Sequence, residues 1–131
     1  MIKVYTDGSS IGNPGKVGIG YLIYENQKLI EKNSIYLGIQ SNNFAEYMAL
    51  IFALIAALDL GKKQCQAFSD SKLLCEQIKG NFKVKNHNIY SLFILAKELI
   101  SKFDKFDISH INREENAKAD ELAKQATGFL I

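Results

Sequence analysis

Four carboxylates stand out because each occupies a position where an acid needs an explanation. Glu46 is the only charged residue in the apolar run 44–58, and burying a carboxylate without a partner is costly. Asp7 and Asp70 each come directly after a short run that is typical of a β-strand. Asp120 lies among alanines in the last helical segment. All four could serve one site if these segments meet in space.

A cluster of these carboxylates would suit hard divalent cations. Mg²⁺ prefers oxygen ligands in octahedral geometry and keeps several waters, so scattered acids suit it better than His or Cys. Two such ions about 4 Å apart can activate a water and stabilise the leaving oxygen in phosphodiester hydrolysis. The cations would also relieve the repulsion among the acids. The predicted chemistry is therefore metal-assisted phosphodiester hydrolysis.

Each acid also has a simpler structural explanation. A turn, a helix cap or a surface ion pair needs no metal, and these are frequent roles for Asp and Glu. The candidates are a tight turn at Asp7 and Gly8, a capping box between Asn43 and Glu46, an N-cap at Asp70 or Ser71, and an i,i+4 pair of Asp120 with Lys124. Each explanation covers one acid and leaves the occurrence of four unexplained.

Hydrophobic periodicity predicts the elements that must position these acids. Period-2 or apolar runs predict strands at 2–7, 17–26, 27–38, 64–69 and 106–111. Helical spacing predicts helices at 44–58, 71–79, 89–103 and 116–126. Asp7 would then end the first strand, Asn88 would cap the third helix, and 112–115 would form a polar loop. The order predicts one mixed-sheet α/β domain over residues 1–131, with helices on its faces.

Composition sets the class of protein. Of the 131 residues, 47% are hydrophobic and 23% charged, which excludes disorder as the main state. Two cysteines, Cys65 and Cys75, are too few for a disulfide framework or a zinc site. The longest apolar run, 50–58, is about half of what a membrane span needs, and the N-terminus lacks a signal pattern. We expect a soluble, cytoplasmic, monomeric protein that does not bind membranes.

A single arginine, Arg113, stands among sixteen basic residues. A chain that otherwise uses Lys has reason to keep Arg where a planar, bidentate guanidinium is needed. Compositional drift with one stray Arg is the alternative. The net charge of +2 is too small to indicate a polyanionic partner by itself.

The four acidic segments resemble, in order and spacing, the four motifs of type 1 ribonuclease H. They read TDGSSIGNPG at 6–15, SNNFAEYMAL at 41–50, FSDSKLL at 68–74 and REENAKADELA at 113–123. The resemblance covers nearly the whole chain. It implies a ribonuclease H-like fold, in which a five-stranded mixed sheet of three antiparallel and then two parallel strands is flanked by helices. It also implies endonucleolytic hydrolysis of the RNA strand of RNA–DNA hybrids to 5′-phosphate and 3′-hydroxyl ends, with two Mg²⁺ ions or Mn²⁺ as a substitute.

The resemblance also assigns residues to roles. The metal ligands and catalytic acids would be Asp7, Glu46, Asp70 and Asp120. The residues along the minor groove of the hybrid, where the 2′-hydroxyl distinguishes RNA from DNA, would be Gly8, Ser10, Asn13, Ser41, Asn42, Asn43, Ser71 and Lys72. Polar amide and hydroxyl groups near the metals suit that task.

Two departures from the family pattern matter. Many members carry a basic helical insertion where this chain has only Gly80–His87, so the resemblance is to the compact branch, some of which also cuts double-stranded RNA. We expect weaker, more salt-sensitive binding. Many relatives use a flexible His near the fourth acid, but His110 falls on the predicted last strand. Arg113 resembles the Arg that serves the compact branch, and it is the residue we expect to assist catalysis.

A catalytically silent hybrid-binding or protein-interaction domain on the same fold is the alternative function. Such a domain has no reason to keep four acids together, so their retention favours an enzyme. A related DNA-processing nuclease or strand transferase is a third possibility, and nothing else in the chain supports it.

Overall fold

A computed structural model describes residues 1–128 of the protein. Residues 129–131, the apolar end of the sequence, lie outside the described residues. The strands are β1 Ile2–Gly12, β2 Gly15–Glu25, β3 Lys28–Gln40, β4 Gln64–Ser69 and β5 Lys105–His110. The helices are α1 Asn42–Asp59, α2 Lys72–Lys79, α3 His87–Ile100 and α4 Ala117–Gly128, with a short 3₁₀ helix at Arg113–Asn116.

The five strands form one mixed sheet in the order β3-β2-β1-β4-β5. The first three are antiparallel neighbours, whereas β4 runs parallel to β1 and β5 runs parallel to β4. This confirms the predicted fold class and the predicted order of elements. The β2–β3 hairpin turns at Asn26 and Gln27, both with positive φ, as expected for a two-residue turn.

The main core lies between one face of the sheet and α1. Val4 and Ile23 from the sheet and Leu50 and Leu54 from α1 are fully or almost fully buried there. By length and composition alone, α1 is apolar enough to cross a membrane, a property that many core helices of soluble proteins share. Half of it is buried in this fold. The apolar character of α1 on several sides therefore reflects its central position.

Helix α4 covers the other face of the sheet at unusually close range. A Cβ added to Gly18 would lie 2.5 Å from the Ala123 carbonyl oxygen, and one added to Gly20 would lie 2.6 Å from that of Ala119. Only glycine allows such an approach of helix to strand. The alternating glycines of β2 thus bring the backbone of α4, with Asp120, close to the sheet.

Three local predictions were wrong. Strand β1 does not end at Asp7, because residues 8–12 continue to pair with β2 as far as Gly12 opposite Gly15. The cap of α3 is Asn86, whose side chain accepts from the backbone N–H of Asn88 at 2.8 Å. The predicted polar loop at 112–115 is largely the 3₁₀ helix that leads into α4.

Candidate metal centre

Parallel pairing brings Asp7 and Asp70 to the same place. The β1–β4 ladder ends at Thr6 opposite Ser69, so the next residue of each strand is one of the two acids. Ligand sites in α/β proteins form at such strand ends. Although β1 continues with β2, it loses its β4 neighbour at this point, and the two carboxylates face one opening.

Glu46 reaches the same opening from α1. Its Oε1 accepts a 2.8 Å hydrogen bond from the backbone N–H of Gly8. The predicted capping box with Asn43 is wrong, because Ser41 is the N-cap of α1 and accepts from the N–H of Phe44 at 3.1 Å. Glu46 therefore does not cap α1, and its carboxylate binds instead to the backbone of β1 next to Asp7.

Three acids form a tight group. Ligand oxygens of Asp7, Glu46 and Asp70 all lie within 4.8 Å of one another. Asp7 is only 4% exposed, and the other two are half-buried. The group opens into a cavity of about 300 Å³ that Asp120 and Arg113 also line. The cavity thus contains all four predicted acids and the single arginine.

Asp120 stands at the edge of this group. It forms the predicted i,i+4 pair with Lys124 at 2.9 Å, and Arg113 lies 4.0 Å from its other oxygen. It lines the same cavity as Asp7, and its charge is among the causes that raise the pKa of Asp7. Asp120 therefore forms the ion pair with Lys124 and also lines the cavity with the other three acids.

The electrostatics reflect the crowding of like charges. Burial, followed by the charges of Glu46 and Asp70, raises the pKa of Asp7. Burial also raises the pKa of Glu46, against the lowering effect of the Gly8 hydrogen bond. Burial acts to raise the pKa of Asp120 as well, but hydrogen bonds from Lys124 and Asp7 and the charges of Lys124 and Arg113 bring it below its usual value.

This donor set fits divalent cations. The carboxylates of Asp7, Glu46 and Asp70 lie close enough to bind one ion. Burial disfavours the anionic forms of Asp7 and Glu46, so a bound cation would stabilise them. All the ligands are oxygens, which is the chemistry that Mg²⁺ and Mn²⁺ accept. The group offers no His or Cys, so it does not resemble a zinc site.

The two candidates for the assisting residue lie differently. Arg113 begins the 3₁₀ helix, is 73% exposed in its side chain and lines the cavity. His110 lies on the last strand, as predicted, and is its final residue; its Nε2 is 3.2 Å from the backbone oxygen of Asp70. The arginine therefore has the freer side chain and the direct access to the cavity.

The predicted nucleic-acid contacts separate into two groups. Gly8, Ser10 and Asn42 line the cavity, together with Ser9, which the sequence reasoning missed. The other five are not among its lining residues. Ser41 and Ser71 cap α1 and α2, and the Asn13 side chain accepts from the Asn42 backbone N–H at 3.1 Å. Asn43 is half-buried in α1, and Lys72 is exposed at the start of α2. Ser9 could have been found, since period-2 alternation aligns it with Asp7.

The sequence and the fold are similar to those of known proteins. A sequence model of the family described as "Reverse transcriptase-like" matches residues 6–126. Ribonuclease HI of Helicobacter pylori is 31% identical over 136 residues, covering 94% of this chain and 90% of that protein. The chain belongs to the ribonuclease H family. Among solved structures, LC11-RNase H1 in complex with RNA/DNA hybrid has a TM-score of 0.94 and 34% identity, covering 99% of each chain.

Some ribonuclease H relatives are much longer. The bifunctional protein Rv2228c of Mycobacterium tuberculosis is 34% identical over 127 residues, which cover 95% of this chain. The chain spans 35% of the length of that relative. The shared part corresponds to the ribonuclease H unit described above.

Proposed function

We propose that this protein is a metal-dependent endoribonuclease that hydrolyses the RNA strand of RNA–DNA hybrids, leaving 5′-phosphate and 3′-hydroxyl ends. The observation that carries the proposal is the group of Asp7, Glu46 and Asp70, whose oxygens lie within 4.8 Å of one another in an open cavity. Membership of the ribonuclease H family supports it, as does the likeness to a solved relative in complex with RNA/DNA hybrid.

The four acids would hold two Mg²⁺ ions, or Mn²⁺ as a substitute. Bound cations would supply an activated water and would stabilise the charge of the departing oxygen. The chain's own groups prepare the site: the Gly8 N–H holds Glu46 in place, and Lys124 keeps Asp120 ionised. Arg113, which lines the cavity, would bind the scissile phosphate with its planar guanidinium.

Recognition of RNA would come from the polar lining of the cavity. Ser9, Ser10 and Asn42 offer hydroxyl and amide groups beside the acids, and such groups can donate to or accept from a 2′-hydroxyl. A DNA strand lacks that hydroxyl at the cleavage site. The same recognition extends to double-stranded RNA, so we propose its cleavage as a secondary activity.

We further propose that the protein acts as a monomer in the cytoplasm. Cys65 and Cys75 are both buried and unbridged, as expected for a protein of a reducing compartment. The acids, Arg113 and the polar lining all belong to one chain, so the proposed site needs no second copy.

The experiment is a cleavage assay on three end-labelled duplexes of one sequence. RNA–DNA hybrid, double-stranded RNA and double-stranded DNA are each incubated with Mg²⁺, Mn²⁺ or a chelator. We expect internal cuts in the RNA strand of the hybrid with either metal, slower cutting of double-stranded RNA, and none with the chelator. Asp70→Asn is the matched inactive control, because it keeps the size of the side chain.

The outcomes separate the candidate functions. Hybrid binding without cleavage under any metal would favour the silent binding domain and overturn the proposed enzyme. Cleavage of double-stranded DNA at a similar rate would indicate a general nuclease. Cleavage that persists in the chelator would overturn the metal dependence.

A further inference from the structure

Asn116 is a fully buried polar side chain near the metal centre that the proposed mechanism does not use. It is 1% exposed and ends the 3₁₀ helix that leads into α4. Its Nδ2 donates a 2.8 Å hydrogen bond to the backbone oxygen of Thr6, the residue before Asp7. Across residues 1–128, its Oδ1 is the one buried side-chain oxygen or nitrogen without a hydrogen-bond partner.

Stability alone does not account for this amide. A buried polar atom left unpaired costs on the order of 1–3 kcal/mol, comparable to the net gain from the bond on its other side. An apolar side chain of similar size would avoid the unpaired oxygen at Asn116. The function of the Asn116 amide therefore depends on the two segments that its hydrogen bond to Thr6 connects.

The hydrogen bond between Asn116 and Thr6 connects the segment that carries Asp120 to the strand that carries Asp7. Asn116 precedes Asp120 by four residues, about one helical turn, and Thr6 precedes Asp7 by one. The two acids line the same cavity of the proposed site, and as anions they would repel each other. The other described side-chain bond from the sheet to α4, from Ser34 Oγ to the Leu122 backbone oxygen at 2.5 Å, lies on the β3 side.

We propose that Asn116 is a positioning residue that sets the separation of Asp120 from Asp7 and thereby the affinity of the site for divalent cations. This inference rests on the proposed function, because it concerns the same acids. Without the bond, the 3₁₀ helix and the start of α4 lose this tie to β1, and the packing of α4 on β2 is left to position Asp120 and Arg113. Groups that orient metal ligands from behind typically change metal affinity about 10- to 100-fold when they are removed.

The test compares Asn116→Leu with wild type. Leu has a similar size and cannot donate to Thr6. Mg²⁺ is titrated against the melting temperature, which rises as the ion binds the folded state, and separately against the rate of hybrid cleavage. We expect the Mg²⁺ midpoint to rise about tenfold or more in both titrations, with much of the cleavage rate recovered at saturating Mg²⁺.

Thr127→Val is the matched control. Thr127 is also buried in α4, and its hydroxyl bonds to the backbone oxygen of Lys124 at the far end of the helix. It should lower stability without moving the Mg²⁺ midpoint. Asn116→Ala is measured in parallel, so that a failure of the leucine variant to fold does not remove the test.

Two results would overturn the inference in distinguishable ways. If wild type responds to Mg²⁺ and the Asn116 variants show the same midpoint at lower stability, Asn116 is only structural and the proposed function survives. If Mg²⁺ neither stabilises wild type nor supports cleavage, the proposed function fails and this inference fails with it.

Discussion

The backbone N–H of Gly8 donates a 2.8 Å hydrogen bond to Oε1 of Glu46. This contact joins the strand that carries Asp7 to the helix that carries Glu46, and it forms only because Gly8 has no side chain. A Cβ there would lie 2.6 Å from the carbonyl carbon of Ala45 and 2.8 Å from the backbone nitrogen of Glu46. Glycine at this position therefore brings the first two acids together.

Gly8→Ala should move α1 away from β1. We expect a loss of about 1–3 kcal/mol in the free energy of unfolding, typical of overpacking, and a drop in hybrid cleavage of about tenfold or more. Denaturant unfolding and initial cleavage rates check this. Gly128→Ala is the matched control, because its Cβ would meet nothing within 4 Å. Equal behaviour of the two variants would show that the close approach is unimportant.

Glu46→Gln should separate charge from structure. The amide oxygen can still accept from Gly8, so the fold and melting temperature should be kept. Cleavage should fall by about 100-fold or more, since a metal contributes several kcal/mol to the transition state. Glu46→Ala, which loses both the charge and the acceptor, should lose stability as well. A glutamine variant with wild-type turnover would remove Glu46 from the metal ligands.

Asp7→Asn should stabilise the protein in a pH-dependent way when divalent cations are absent. Burial raises the pKa of Asp7, so the folded state holds a proton more tightly than the unfolded chain. The folded protein is therefore favoured below the ordinary carboxyl pKa of 3.8 and loses that advantage as the pH rises toward the raised value. We expect the variant to gain on the order of 1–3 kcal/mol over wild type at pH 8 and little near pH 4.

Thermal unfolding in the presence of a chelator measures that difference across pH. Asp59→Asn serves as the control, because Asp59 is exposed at the end of α1, far along the helix from the site. An Asp7→Asn variant that is less stable than wild type at pH 8 would contradict the repulsion among the acids. The same variant should be inactive in Mg²⁺.

Arg113→Ala should lower turnover strongly, with a modest change in hybrid binding. Its side chain is largely exposed and lines the cavity, so its removal costs little packing. Arg113→Lys should restore only part of the rate, because an ammonium cannot bind phosphate bidentately. Steady-state kinetics separate kcat from KM. An unchanged rate would transfer the assisting role to His110, for which His110→Ala is the companion variant, or to neither residue.

The element order and the acids could be predicted from the sequence because both leave local signals. A lone Glu in an apolar helix is visible in the order of residues itself, as is an Asp directly after each of two strand-like runs. The partner of Glu46 is not visible there, since the choice between Asn43 and Gly8 depends on how closely α1 approaches β1. The same holds for Asn116, which the sequence places in a polar stretch but which tertiary packing buries against Thr6.

The alternation Gly18-x-Gly20 could have indicated the position of α4. Glycines two residues apart in a strand lie on one face, and there they admit the backbone of a neighbouring element. A helix that packs on these glycines brings Asp120 close to the sheet. The cap of α3 was less predictable, because Asn86 and Asn88 are equally suitable residues and geometry decides between them.

The proposed metal centre can be located by the anomalous diffraction of Mn²⁺ in crystals of the wild-type protein. We expect a strong peak within ligand distance of the carboxylates of Asp7, Glu46 and Asp70, and a second peak on the side of Asp120 when a hybrid is bound. Crystals soaked in saturating Mn²⁺ that have no peak in this cavity would contradict the proposed metal centre.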